Sequence, residues 1–111
     1  MGASAKAAKD WRKCREYKAV RNEMLDGLGG KGAVDALTLS RLEEYMDFWV
    51  LRHQLQDDVT ARGLYVTDER GRVSENRSVS LSIQASRQMS AISAALGLAI
   101  GAARLEEADE L

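Results

Sequence analysis

Residues 40–63, SRLEEYMDFWVLRHQLQDDVTARG, form the longest amphipathic stretch of the chain and decide its fold. Ser40 and Glu43 are spaced as in a capping box, in which each side chain bonds a backbone N–H at the start of a helix. The pattern therefore predicts a helix that starts near Arg41 and runs for about six turns to Arg62. Gly63 supplies the stop.

At about 100° per residue, this helix has two apolar arcs and one polar stripe. The first arc contains Leu42, Tyr45, Met46, Trp49 and His53. The second contains Phe48, Leu51, Leu55 and Val59, and the stripe contains Glu43, Asp47, Gln54 and Asp58. A helix that is apolar on two sides needs a cover on each. Two covers remain open at this point: the other helices of the same chain, or a second copy of it.

The segments on either side of this helix indicate further helices and one hairpin. Apolar residues at three- and four-residue steps predict a first helix over residues 5–28, followed by the glycine-rich segment 27–32. Residues 64–75, in which β-branched residues flank a turn-rich tetrapeptide, predict a small hairpin or an extended loop. A third helix, capped by Asn76 or Ser78, is predicted to reach Leu96, and residues 99–111 have the pattern of a short fourth helix.

The composition supports a helical protein. None of the 111 residues is proline, whereas about 5% is usual, and proline is typical of turns and edge strands. The predicted fold is all-α, with three main helices, a small β-hairpin and a short C-terminal helix in one domain.

Two stripes run along the third helix. Leu81, Ala85, Met89, Ile92 and Leu96 are expected to face the core. A second stripe is made of Ser82, Ser86, Ser90 and Ser93. Small side chains allow two helices to approach closely, so this stripe suits a helix–helix contact, but it equally suits a solvated face.

Charge is distributed unevenly, although the net charge is only −1. Residues 1–31 have eight Lys and Arg against four Asp and Glu, a local charge of +4, and the rest of the chain has −5. A basic helix can neutralise DNA phosphates, and an ordinary solvated helix is the alternative. The candidate DNA-binding residues are Lys6, Lys9, Arg12, Lys13, Arg15, Lys18 and Arg21.

Several function classes are disfavoured. Cys14 and His53 are the only residues of their kinds, which is too few for a typical zinc site or an internal disulfide. The segment GLGGKG at 27–32 lacks the Ser or Thr and the preceding strand of a phosphate-binding loop. No catalytic set is present, so we expect a non-enzyme without a cofactor. No apolar stretch reaches the length of a membrane span, and we expect a cytoplasmic protein without a signal peptide.

The second half of the chain resembles the small terminase subunits of tailed bacteriophages. The resemblance is carried by NRSV at 76–79, RQM at 87–89, ALGL at 95–98 and AARL at 102–105, in that order after the 41–62 helix, Gly63, Tyr65 and Gly71. Family members commonly place proline where this chain has Arg77 and Ala99. Both are helix starts, where proline is favourable but not required.

This resemblance implies a ring-forming protein that binds double-stranded viral DNA in the cytoplasm of the infected host cell. It also implies a large terminase subunit as partner, which holds the ATPase and nuclease. We then expect a basic DNA-contacting segment at 1–31, an oligomerisation core at 32–98 and an acidic tail at 99–111 for the large subunit. The candidate oligomer interface consists of Phe48, Leu51, Leu55, Val59, Ser82, Ser86 and Ser90.

The alternative function is that of a small helical adaptor that binds a protein partner and no DNA. A dimeric helix-turn-helix regulator is disfavoured, because the connection over 27–39 is long and rich in glycine.

Overall fold

A computed structural model describes residues 9–97 of the chain, and these form three α-helices and one small sheet. The helices are α1 (Arg15–Gly27), α2 (Ala36–Arg62) and α3 (Arg77–Leu96), and the strands are β1 (Tyr65–Thr67) and β2 (Val73–Glu75). Two 3-10 turns, Trp11–Lys13 and Lys31–Ala33, precede α1 and α2. The mostly helical class with a small hairpin is confirmed. The fourth helix expected over 99–111 lies outside the described residues.

Helix α2 begins earlier than the capping box indicated. Its N-cap is Asp35, whose side chain accepts a hydrogen bond of 2.7 Å from the backbone N–H of Thr38. Ser40 therefore lies inside the helix, and the predicted start near Arg41 is wrong. The reason is local: neither Gly nor Pro lies between Asp35 and Ser40, so the earlier cap extends the helix through residues that tolerate it.

The C-terminal end of α2 is as predicted. Gly63 has φ +88°, a conformation that side-chain-bearing residues rarely adopt, and its N–H donates to the Val59 carbonyl at 2.7 Å. Helix α3 ends in the same manner, because Gly97 lies in the left-handed region with φ +68°.

The first helix is shorter than the prediction of 5–28. Asp10 caps the 3-10 turn by accepting from the Arg12 N–H, and Cys14 is then extended, with φ −79° and ψ 160°. The Cys14 sulfur accepts from the Tyr17 N–H at 3.4 Å and so caps α1. Two successive caps within five residues break the backbone that periodicity alone predicted as one helix. Residues 5–8 lie outside the described part of the chain.

Helix α2 lies between α1 and α3, so the chain supplies a cover on each side. The core contains Leu42, Met46, Trp49 and Val50 of α2, Tyr17, Met24 and Leu25 of α1, and Met89 of α3. Each large apolar side chain buried in this way contributes about 1.5–3 kcal/mol. The second arc is covered less completely: Phe48, Leu55 and Val59 are half-buried, and Leu51 is 40% exposed.

The apolar stripe predicted on α3 is also confirmed. Ala85, Met89 and Ile92 are buried, and Leu81 and Leu96 are half-buried. No helix within residues 9–97 has the length and apolar character that crossing a membrane would require.

The two strands form the hairpin expected over 64–75. They pair antiparallel, with Tyr65 opposite Glu75 and Thr67 opposite Val73. Asp68 closes the turn, because its side chain accepts from the backbone N–H groups of Arg70 and Arg72 at 2.8 and 2.9 Å. The predicted hairpin is therefore confirmed.

Candidate functional site

The N-terminal segment, residues 1–31, is described from residue 9 onward and is attached to α2 through Trp11. The Trp11 indole donates a hydrogen bond of 2.8 Å from Nε1 to Asp57 Oδ2. The Trp11 ring also lies 4.4 Å from His53 and 5.8 Å from Trp49, measured between centroids. Lys9 Nζ lies 4.1 Å from the Trp11 ring centroid, within cation–π range. The segment that carries the basic residues is thus held in a defined place.

Two of the predicted DNA-binding residues pair with carboxylates of α2. Arg12 contacts Asp47 and Arg21 contacts Glu43, both with N···O distances of 2.7 Å. The hydrogen bond to Asp47 raises the pKa of Arg12 above its usual value. These two arginines therefore bind the N-terminal segment to α2. Counting charges in the sequence cannot separate such an internal ion pair from a contact with DNA.

The remaining described residues of this candidate set are exposed: Lys9, whose ammonium lies over the Trp11 ring, and Lys13, Arg15 and Lys18. Lys13 has a distant partner, Asp10, at 3.9 Å. Lys6 lies outside the described residues. Four of the seven candidates are therefore available to an external anion.

Six of the seven residues of the predicted oligomer interface line two grooves between α2 and α3, and the seventh, Val59, is half-buried one turn beyond Leu55 on α2. Phe48, Leu51 and Leu55 line an apolar groove with Leu81 and Ala85 of α3. A second, more polar groove is lined by Ser82, Ser86 and Ser90. Ser82 and Ser86 are half-buried, and Ser90 is exposed. The single interface set predicted from the sequence thus divides into two chemically different surfaces.

A hydrogen-bonded cluster joins the end of α2, the hairpin and the start of α3. Asp58 accepts from Ser78 Oγ at 2.6 Å, from Arg62 Nε at 2.7 Å and from Asn76 Nδ2 at 3.2 Å. The fully buried Asn76 also caps α3, accepting from the Ser78 N–H, and donates to the Gly63 carbonyl. Hydrogen bonds, first from Arg62 and then from Ser78, hold the pKa of Asp58 well below its usual range.

Sequence reasoning placed Asp58 on the polar stripe and missed this cluster. The signals present were the Asp58–Arg62 spacing of four residues and the predicted cap at Asn76 or Ser78, of which Asn76 is the one used. Neither indicated that the two helix ends meet, since that contact depends on the hairpin between them.

The remaining sequence motifs have structural surroundings. His53 packs 3.9 Å from Trp49, between ring centroids, and its Nδ1 donates to the Trp49 carbonyl at 2.8 Å. The segment 27–32 follows a helix instead of a strand, unlike a phosphate-binding loop. Within residues 9–97, no group of three or more His, Cys, Asp or Glu side chains is arranged to hold a metal ion.

Comparison with known proteins gives one match. The family model for the phage terminase small subunit matches residues 18–109, which include most of α1 and all of α2, the hairpin and α3. Comparisons with curated proteins and with solved structures gave no match. The match covers most of the chain, and proteins of this family have a role in phage DNA packaging. The chain therefore belongs to the phage terminase small subunit family.

Proposed function

We propose that this protein binds double-stranded viral DNA at the start of packaging, in the cytoplasm of the infected cell, and regulates the large ATPase and nuclease subunit. The observation that carries the proposal is the family match over residues 18–109. The exposed basic side chains of the N-terminal segment support it, because lysine and arginine neutralise phosphates and release counterions.

Within this proposal, Lys9, Lys13, Arg15 and Lys18 contact DNA, with Lys6 as a further candidate. Arg12 and Arg21 keep the segment docked instead, since each already has a carboxylate at 2.7 Å.

The DNA contact is tested with the triple variant K13Q/R15Q/K18Q and a duplex DNA followed by fluorescence anisotropy. Three lost phosphate contacts should flatten the slope of log affinity against log salt by about 2.7 and weaken binding at least about tenfold. The matched control R70Q/R72Q/R77Q removes the same charge outside segment 1–31 and should change the slope little. Equal slopes in the two variants would dismiss the N-terminal segment as the contact.

We further propose that copies of the chain assemble into a ring through the apolar groove of Phe48, Leu51 and Leu55, with Val59 beside it. The 40% exposure of Leu51 supports this, because an exposed leucine at the mouth of an apolar groove gains from a cover. Light scattering should give the mass of a defined multimer. L51K should reduce that mass, whereas L37K, at a residue 70% exposed on the same helix, should not. A monomeric wild-type protein would refute the ring.

Regulation is tested by adding the protein to its large subunit and measuring DNA-dependent ATPase activity. We expect a change in turnover, and we expect deletion of the acidic segment 99–111 to abolish it. If the large subunit is bound but no DNA binds to the small subunit, the protein is an adaptor instead.

A further inference from the structure

Arg52 lies outside the acidic face of α2. At 100° per residue, the five carboxylates of α2 lie within an arc of about 140°, which also contains Arg62, whereas Arg52 lies about 80° beyond the edge of this arc. The carboxylates are Glu43, Glu44, Asp47, Asp57 and Asp58. Four of the five have partners. Glu43 binds Arg21 and Asp47 binds Arg12. Asp57 accepts a hydrogen bond from Trp11, and Asp58 binds Arg62. Arg52 marks what we call the arginine side of α2, and no carboxylate lies three or four residues from it on its own helix.

Helix α3 adds positive charge and no negative charge. Its 20 residues contain Arg77 and Arg87 and neither Asp nor Glu. Where the arginine side of α2 meets α3, there is no carboxylate on either helix face to neutralise it.

The polar groove lies where the arginine side of α2 packs against α3. It has a volume of about 510 Å³ and is lined by Arg52 and Gln56 of α2 and by Ser82, Ile83, Ser86, Arg87 and Ser90 of α3. Arg52 is half-buried and Arg87 is exposed. In the part of the chain that the structure describes, neither guanidinium has an ion pair. Two arginines without a carboxylate partner thus share one concave surface with hydroxyl and amide groups.

We propose that this groove, which we call the arginine groove, binds the sugar-phosphate backbone of double-stranded DNA as a contact separate from the N-terminal segment. The proposal rests on the proposed function, since it assigns a second surface to the same DNA. Guanidinium groups bind phosphate oxygens in a bidentate manner. Hydroxyl and amide side chains donate additional hydrogen bonds to the backbone without reading sequence.

The hairpin turn offers an internal comparison. It forms a groove of similar volume, about 500 Å³, which contains Arg70 and Arg72 but also Asp68 and Glu69. Arg72 lies 3.8 Å from Asp68. This groove has the same number of arginines but no excess of positive charge, so it is not expected to retain a phosphate backbone.

The test compares R52Q/R87Q with R70Q/R72Q in duplex-DNA binding over a series of salt concentrations. Removal of two phosphate contacts per protomer should weaken binding about tenfold and flatten the slope by about 1.8 in R52Q/R87Q, with little change in R70Q/R72Q. Because Arg87 also lines the apolar groove, the single variant R52Q is measured together with its mass by light scattering. R52Q should flatten the slope by about 0.9 at unchanged mass.

Each outcome bears on the inference. If wild-type protein binds DNA and both R52Q and R52Q/R87Q retain its slope, the arginine groove is not a DNA contact, and the proposed function stands. If the wild type does not bind DNA, the proposed function and this inference both fail. If R52Q/R87Q retains the DNA slope but loses the large subunit, the groove binds a protein partner and the inference is overturned.

Discussion

Replacing Asn76 with alanine should destabilise the protein strongly, because one fully buried side chain serves three segments of the chain. Its Oδ1 accepts from the Ser78 N–H at 3.0 Å, which caps α3. Its Nδ2 donates to the Gly63 carbonyl at 3.0 Å. Loss of the cap costs about 1 kcal/mol, and loss of the two hydrogen bonds that Nδ2 donates, to the Gly63 carbonyl and to the Asp58 carboxylate, costs about 1 kcal/mol each. We expect N76A to lower the free energy of unfolding by about 3 kcal/mol.

The assay is urea unfolding followed by tryptophan fluorescence, at one fixed protomer concentration because assembly alters apparent stability. N76S keeps a capping oxygen but loses the donor to Gly63, so it should cost about 1 kcal/mol less than N76A. N22A, at an exposed asparagine on α1, should remain within about 0.5 kcal/mol of wild type. A loss below about 1 kcal/mol in N76A, or a loss in N22A of the same size, would refute this account of the junction.

Three further outcomes follow from the geometry. Because hydrogen bonds depress the pKa of Asp58 in the folded state, its stabilisation is present above its unfolded pKa of about 3.9 and is lost as pH falls below that value. Urea unfolding of D58N should therefore show a weaker decline between about pH 5 and pH 2 than wild type. G63A should lose about 1 kcal/mol or more, since Gly63 has φ +88°, whereas G32A, at a glycine with open space and no positive φ, should be near neutral in thermal unfolding. W11A should reduce the near-ultraviolet circular dichroism of the aromatic cluster and speed proteolysis before α1, because the ring that packs against Trp49 is removed.

Where local chemistry determines the structure, the sequence was sufficient to predict it. Gly63 and Gly97 end helices where predicted, and α3 begins after Asn76, one of the two predicted caps, because a glycine with positive φ and an Asn cap act over a few residues. The start of α2 was misplaced because local chemistry allows two starts. Asp35 and Ser40 are both competent caps, and only the folded chain shows that Asp35 is used.

The site was harder to predict, because its properties depend on contacts between distant segments. Arg12 and Lys13 are neighbours in a basic run, yet Arg12 pairs with Asp47, 35 residues away, while Lys13 remains exposed. Similarly, the serines on α3 were interpreted together with the apolar residues of α2 as one interface. Their position beside Arg52 follows from the packing of α2 on α3, which helical periodicity does not specify.

The junction around Asn76 also determines how freely the hairpin can vary in length. The Asn76 N–H donates to the Leu64 carbonyl at 2.7 Å, and the Asn76 side chain holds the Gly63 carbonyl. The two ends of the hairpin are thus fastened to each other at its base, and the α2–α3 pair does not depend on what lies between Asp68 and Arg72. Lengthening such a closed loop costs only about 0.6 kcal/mol for each doubling. The tip is therefore a suitable position at which to insert a peptide tag or a fluorescent label, and one at which insertions could accumulate during evolution without disturbing the helices.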